Sequence, residues 1–228
     1  MAILFAVGSL CFTAGAIASQ WVTPRASIGV TFFVGSLFFT SAAYLQFSET
    51  INAKRGVARR RDTVPLRPAS WEPKRVDWLA ALVQLIGTVL FNLSTFSALN
   101  HALTTHQTNA RVWAPDAFGS IAFLIASELA FAEVSGRWVS WPAARNRTLA
   151  WKVAAVNLLG SIAFGVSAIA SLVEPASGEP VSARIANAGT SVGGICFLIG
   201  AVLLMPMAAK EETAALAQSA DDFRATSP

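Results

Sequence analysis

Residues 150–173 read AWKVAAVNLLGSIAFGVSAIASLV, and after Lys152 the run holds no Asp, Glu, Lys or Arg. A helix of this length covers a hydrocarbon layer about 30 Å thick. Five further stretches share its character, near residues 3–20, 26–48, 78–100, 113–134 and 185–208. Residues 1–24, 26–48, 78–110 and 185–209 contain no Asp, Glu, Lys or Arg, and residues 112–132 contain only Asp116 and Glu128. The 228-residue chain is 54% hydrophobic and 13% charged, whereas a soluble domain is typically about 25% charged. The expected fold is therefore all-α, a polytopic membrane bundle of six transmembrane helices. One rival concerns the first stretch, because Ala16-Ile17-Ala18 looks like a signal-peptidase site. A signal peptide has a basic region before its apolar core, and no basic residue precedes Ile3.

Charge placement agrees with six crossings. One face receives the N-terminus, loops 49–77 and 134–152 and the C-terminal tail, with 14 of the 17 basic residues. These are Lys54, Arg55, Arg59, Arg60, Arg61, Arg67, Lys74, Arg75, Arg137, Arg145, Arg147, Lys152, Lys210 and Arg224. Arg25, Arg111 and Arg184 fall on the other face. The positive-inside rule then puts both termini in the cytoplasm, and an odd number of spans would destroy the asymmetry. Trp21, Trp78, Trp113 and Trp151 sit at span ends, with Trp71, Trp138 and Trp141 close by, as an interfacial belt of amphipathic rings predicts. The basic run at 54–61 is expected to meet anionic lipid headgroups rather than nucleic acid. Cys11 and Cys196 lie inside spans and read as small packing residues.

The spans also share a motif. Each carries a glycine with a phenylalanine four residues later: Gly8/Phe12, Gly35/Phe39, Gly87/Phe91, Gly119/Phe123, Gly160/Phe164 and Gly193/Phe197. The residue after the glycine is Ser9, Ser36, Thr88, Ser120, Ser161 or Gly194, and seven residues after it comes Gly15, Ala42, Ser94, Ala126, Ser167 or Gly200. Positions i, i+4 and i+7 share one helical face. In lipid, helices associate by close packing of small residues rather than by a hydrophobic drive, so the motif reads as a packing stripe of notch, knob and notch. The glycines are 27, 32 and 33 residues apart within consecutive pairs, but 52 and 41 apart between pairs. The expected unit is a two-span hairpin used three times. Residues 1–49 form the first hairpin, 50–76 a basic linker, 77–135 the second hairpin, 136–208 the third with its preceding loop, and 209–228 a polar tail, frayed or in a short surface helix.

Paired spans carrying this motif, most clearly Gly35-Ser36-Leu37-Phe38-Phe39-Thr40 and Gly160-Ser161-Ile162-Ala163-Phe164, resemble the YrhK-like domain, a short bacterial two-span membrane domain. The resemblance covers residues 3–208 as three tandem copies. It implies a bacterial plasma-membrane address and assigns no residue roles.

Polar side chains inside spans are costly and therefore informative. Three residues before each motif glycine stand Phe5, Phe32, Gln84, Asp116, Asn157 and Thr190. Gln84, Thr88, Asn92 and Thr95 make an i, i+4 stripe with its flank, as do Asn157 and Ser161. These stripes predict either interhelical hydrogen bonds or a polar seam between the second and third hairpins. Asp116 follows Pro115 and reads as an acidic residue at a helix N-terminus. Glu128 falls opposite the packing stripe, with Lys152 a partner at similar depth. His101 and His106, five residues apart in an outer loop, lack the third ligand zinc requires, so no metal site is expected. No cofactor or catalytic motif is visible, and an enzyme is the least supported class. Two classes remain. A carrier or channel for a small solute or ion would use Gln84, Thr88, Asn92, Asp116, Glu128, Asn157 and Ser161, and requires a wet cavity at mid-depth. A structural or partner-binding membrane protein, such as a homo-oligomer, requires a tight, dry core.

Overall fold

The computed structural model describes residues 1–21, 25–52, 70–135 and 148–226, without the side chains of 25 and 207–226. The basic run at 54–61, Trp138, Trp141 and the basic residues at 137–147 lie outside the described residues. Six helices follow in order: α1 Ala2–Ala18, α2 Arg25–Asn52, α3 Val76–Ser97, α4 Thr105–Ser135, α5 Leu149–Ala170 and α6 Ala183–Thr226. Among the described residues the only β-pairing is a single bridge between Val173 and Pro180, in the α5–α6 loop. Five helices, α2 to α6, are long and apolar enough to cross a membrane, and α1 is a shorter apolar helix of 17 residues, at the lower limit for a span.

Two boundaries differ from the sequence reading. Helix α4 begins at Thr105, eight residues before the expected span, and carries a π-helical turn over Asn109–Trp113. Pro115 explains that turn: it has no N–H to donate to the carbonyl of Arg111, and a widened turn relieves the clash of its ring. Ser94 donates its hydroxyl to the Val112 carbonyl at 2.8 Å, so this backbone group near the turn is satisfied from α3. Helix α6 runs past the expected tail boundary to Thr226, through Pro206.

The helices form a closed ring. Each packs on its chain neighbour, and α1 packs on α6. Polarity is inverted relative to a soluble protein. The buried polar residues are small hydroxyls, among them Ser9, Ser36, Thr88, Ser120 and Ser161. The exposed residues include apolar rows such as Ile162, Val166 and Ile169 on α5 and Val192, Ile195, Ile199 and Val202 on α6, spaced to share one outward face. A soluble monomer does not expose apolar surface on this scale. The chain is a multi-pass membrane protein.

The motif glycines meet in antiparallel pairs. A Cβ added to Gly8 would lie 3.0 Å from the Gly35 carbonyl oxygen, and one added to Gly35 would lie 3.2 Å from that of Gly8. Gly119 approaches the Gly87 carbonyl in the same way at 3.1 Å, and Gly160 and Gly193 approach each other's at 3.2 and 3.1 Å. In each pair the neighbour's motif phenylalanine covers the glycine. The six phenylalanines consequently converge. Phe12, Phe91 and Phe164 form one triangle with ring centroids 5.9–6.3 Å apart. Phe39, Phe123 and Phe197 form a second, 5.5–6.2 Å apart. Contacts of 5.1–5.6 Å within the pairs α1/α2, α3/α4 and α5/α6 join the triangles. These contacts are the edges of a triangular prism filling the middle of the bundle, mostly edge-on or tilted as ring quadrupoles favour.

Trp78 departs from the interfacial-belt expectation. It is 2% exposed, packs with Phe47 and Ile51, and donates its indole N–H to the Ser70 carbonyl at 2.8 Å. Trp21 and Trp71 are exposed, at 82% and 78%. At the same end Arg75 reaches the Thr50 carbonyl at 3.2 Å and Glu72 at 2.7 Å, and also pairs with Asp77, fastening the end of α2 to the start of α3. The hydrogen bonds to Asp77, then to Glu72, raise the Arg75 guanidinium above its ordinary range.

Candidate functional site

Two partly open cavities lie on the bundle axis, one on each side of the phenylalanine prism. Each takes lining residues from all six helices. The first, about 210 Å³, sits at the end lined by Met1, just before α1, and Leu204 of α6. Phe197 forms part of its wall toward the prism, and Gln46, Gln84, Ser127, Glu133 and Asn157 give it its polarity. The second, about 220 Å³, sits at the opposite end, with Phe12 and Phe164 as its inner wall. Asp116, Thr190 and Asn187 line it, together with Trp113 and Phe32.

Helical register explains the partition. The residue three before the motif glycine is Phe5, Gln84 or Asn157 on the odd-numbered helices, and all three line the first cavity. On the even-numbered helices it is Phe32, Asp116 or Thr190, and all three line the second. Neighbouring helices run antiparallel, so the same motif position points to opposite ends on alternate helices.

This arrangement corrects the expected seam between the second and third hairpins in several respects. Gln84 and Asn157 do share a cavity, but Asp116 stands at the far end, beyond both phenylalanine layers. Asp116 stands in the first turn of the α-helical stretch Ala114–Ser135, as expected, but the π-turn and the Thr105–Thr108 turn continue the helix before it, so it does not face a free helix start. Asn92 turns toward the first hairpin, where its amide donates to Thr40 on α2 at 2.8 Å, and Thr95 meets Ser36 there at 2.9 Å. Thr88 is fully buried and donates to the Leu85 carbonyl of its own helix at 2.7 Å. Ser161 does lie between the second and third hairpins, but it is fully buried in a 2.7 Å hydroxyl pair with Ser127, and Ser127 alone of the two lines the first cavity. Glu128 lines neither of these cavities, and one of its carboxylate oxygens is buried without a hydrogen-bond partner. No ion pair joins it to Lys152, which is exposed. His101 and His106 are exposed in the α3–α4 loop and the start of α4, and no group of three or more His, Cys, Asp or Glu gathers among the described residues.

Some polar contacts escaped the sequence reading, including the inward role of Trp113, which it placed only in the interfacial belt. Asn109 exchanges two hydrogen bonds with the backbone of Val173, at 2.7 and 3.1 Å, tying α4 to the α5–α6 loop. Trp113 donates its indole N–H to the Ala168 carbonyl at 2.9 Å, which fixes the ring in the cavity wall. Asn187 and Glu133 were also missed. A signal for two of them existed: six residues before the motif glycine on the even-numbered helices stand Gly29, Trp113 and Asn187, and all three line the second cavity.

Two polar groups at the cavities have no protein partner among the described residues. The side-chain oxygen of Asn157 is buried without a partner beside the first cavity. Asp116 makes no hydrogen bond or ion pair with any described residue. A buried polar group left unpaired costs on the order of 1–3 kcal/mol, and more if charged. Comparison with known proteins assigns neither cavity a role: no family model, curated protein or solved structure matches this chain.

Proposed function

We propose that this multi-pass membrane protein carries a small polar solute or ion, with the two axial cavities as half-sites and the phenylalanine prism as the barrier between them. One observation carries the reading: the costly polar residues Gln84, Asn157 and Asp116 all line axial cavities rather than only pairing between helices. A standing channel does not fit, because six packed rings occupy mid-depth. Transfer would require the rings to part, which is the behaviour of a carrier. The proposal further holds that the chain is three copies of a YrhK-like hairpin in a bacterial plasma membrane, with both termini cytoplasmic, and that it catalyses no reaction. The matched glycine pairs support the repeat reading, and the uneven distribution of Lys and Arg supports the orientation.

The test is uptake by liposomes holding the purified chain, using a panel of small polar solutes and cations alongside a pH dye. Faster entry of at least one probe than into protein-free liposomes, reduced by Asn157→Leu, is the expected result. Equal entry for every probe would remove the carrier reading. The second reading, a non-transporting structural or partner-binding protein, then stands, and the dry mid-depth core and its regular helices favour it. Oligomeric state and co-purifying membrane proteins are its measurements.

A further inference from the structure

The cavity walled by Phe12 and Phe164 has a chemistry of one sign. Its single carboxylate, Asp116, has no partner among the described residues, and among the described side chains no Lys, Arg or His lines the cavity. A carboxylate on a largely apolar wall within a membrane bundle is favoured by a counter-charge. Four aromatic residues, Phe12, Phe32, Trp113 and Phe164, form much of the remaining wall, and an aromatic face carries a negative quadrupole that attracts cations.

The hydroxyl hydrogens strengthen the bias. Ser94 donates to the Val112 carbonyl at 2.8 Å and Thr95 to the Phe91 carbonyl at 2.7 Å. Ser167 donates to the Ala186 carbonyl at 2.7 Å. A hydroxyl has one hydrogen, so the 2.8 Å contact between Ser167 and Thr190 must use the hydrogen of Thr190. The Trp113 N–H is likewise spent on the Ala168 carbonyl. These hydrogens are spent on backbone and neighbouring hydroxyl oxygens, which leaves hydroxyl oxygens and aromatic rings as the character of the wall. Asn187 and Thr108 are the lining polar groups not committed in this way.

We propose that this cavity binds a small organic ammonium ion, with Asp116 as its counter-ion and Trp113, Phe12, Phe32 and Phe164 as its aromatic walls. The volume, about 220 Å³, lies below the usual range for drug-sized ligands of about 300–1,000 Å³, so a methylated amine fits better than a larger metabolite. A bare alkali ion would exchange most of its hydration shell for ring faces it coordinates poorly, whereas methylated ammonium suits an aromatic cage. The inference deepens the carrier reading by naming its solute class, and it can survive the loss of that reading.

The test is calorimetric titration of the full chain in dodecyl maltoside, a detergent without ammonium groups. Choline is compared with its uncharged isostere 3,3-dimethylbutan-1-ol and with potassium chloride. Choline should bind saturably and the isostere at least about tenfold more weakly, with Asp116→Asn losing a similar factor and Asp116→Glu retaining binding. Equal binding of the isostere, displacement of choline by an equal concentration of potassium, or no saturable binding to the folded wild-type chain would each overturn the proposal. Liposome uptake separates the two readings. Binding without uptake keeps the ammonium site and removes the carrier, while uptake of uncharged solutes without choline binding does the reverse.

Discussion

At the scale of single residues, the glycines differ by what a side chain would meet. A Cβ on Gly35 would come within 2.7 Å of the Cys11 Cβ and 3.2 Å of the Gly8 carbonyl oxygen, with a backbone oxygen in the way as well as a side chain. Gly165 has nothing within 4 Å of its Cβ position. Gly35→Ala should therefore destabilise the protein by about 1–3 kcal/mol, the usual cost of overpacking. Gly165→Ala should be neutral or stabilising by less than about 1 kcal/mol. Thermal unfolding of both variants in detergent checks the pair, and equal midpoints would contradict the packing account. Glu128 gives a second prediction at this scale. It lies outside both axial cavities, so Glu128→Gln should leave any transport rate unchanged in the liposome assay, and a large fall in rate would show that the path runs elsewhere.

Between elements, the contacts are small polar pairs of fixed register. Ser36 meets Thr95 across α2 and α3, and Ser127 meets Ser161 across α4 and α5. In both pairs one partner stands one residue after its motif glycine and the other eight residues after its own. Hydrogen bonds of this kind in membranes average about 0.6 kcal/mol. A double-mutant cycle with Ser127→Ala and Ser161→Ala should return a coupling near that value, measured by unfolding in detergent micelles. A coupling indistinguishable from zero would mean the pair only fills space. The Arg75 clamp acts between α2 and α3 at the bundle end. Because its carboxylate partners raise the guanidinium further above its ordinary range, the arginine stays charged at any working pH and its deprotonation cannot release the clamp. Its contribution is fully present below the unfolded arginine's range and would be lost only in strong alkali.

For the whole molecule, the phenylalanine prism decides whether the two cavities communicate. Phe164 and Phe197 stack at 5.6 Å and belong to different layers. The first borders one cavity and the second the other. Replacing both with Ala removes one ring from each layer on the same pair of helices. The expected result is a leak of protons or small ions in reconstituted liposomes, absent from the wild type, together with a stability loss of several kcal/mol of the size seen for buried Phe→Ala, about 3–5 kcal/mol per site. A folded double variant that stays tight would show that the barrier lies outside the prism.

The sequence by itself determined the apolar helices and the face on which each packs. Both are local properties: run length without charge sets the spans, and the i, i+4, i+7 spacing of Gly, Phe and a small residue sets the face. It also marked the polar position three before each glycine, which put Gln84, Asn157 and Asp116 among the candidates. The tertiary structure alone decided which neighbour each face meets. A helix in lipid is apolar nearly all round, so no contrast between wet and dry sides says where the bundle axis lies. The closure of α1 on α6 joins segments almost a full chain length apart, and no local pattern encodes it. That closure brings six phenylalanines together on one axis, and antiparallel packing sends the same motif position to opposite ends. What reads along the chain as one polar seam is therefore, in space, two cavities separated by a wall.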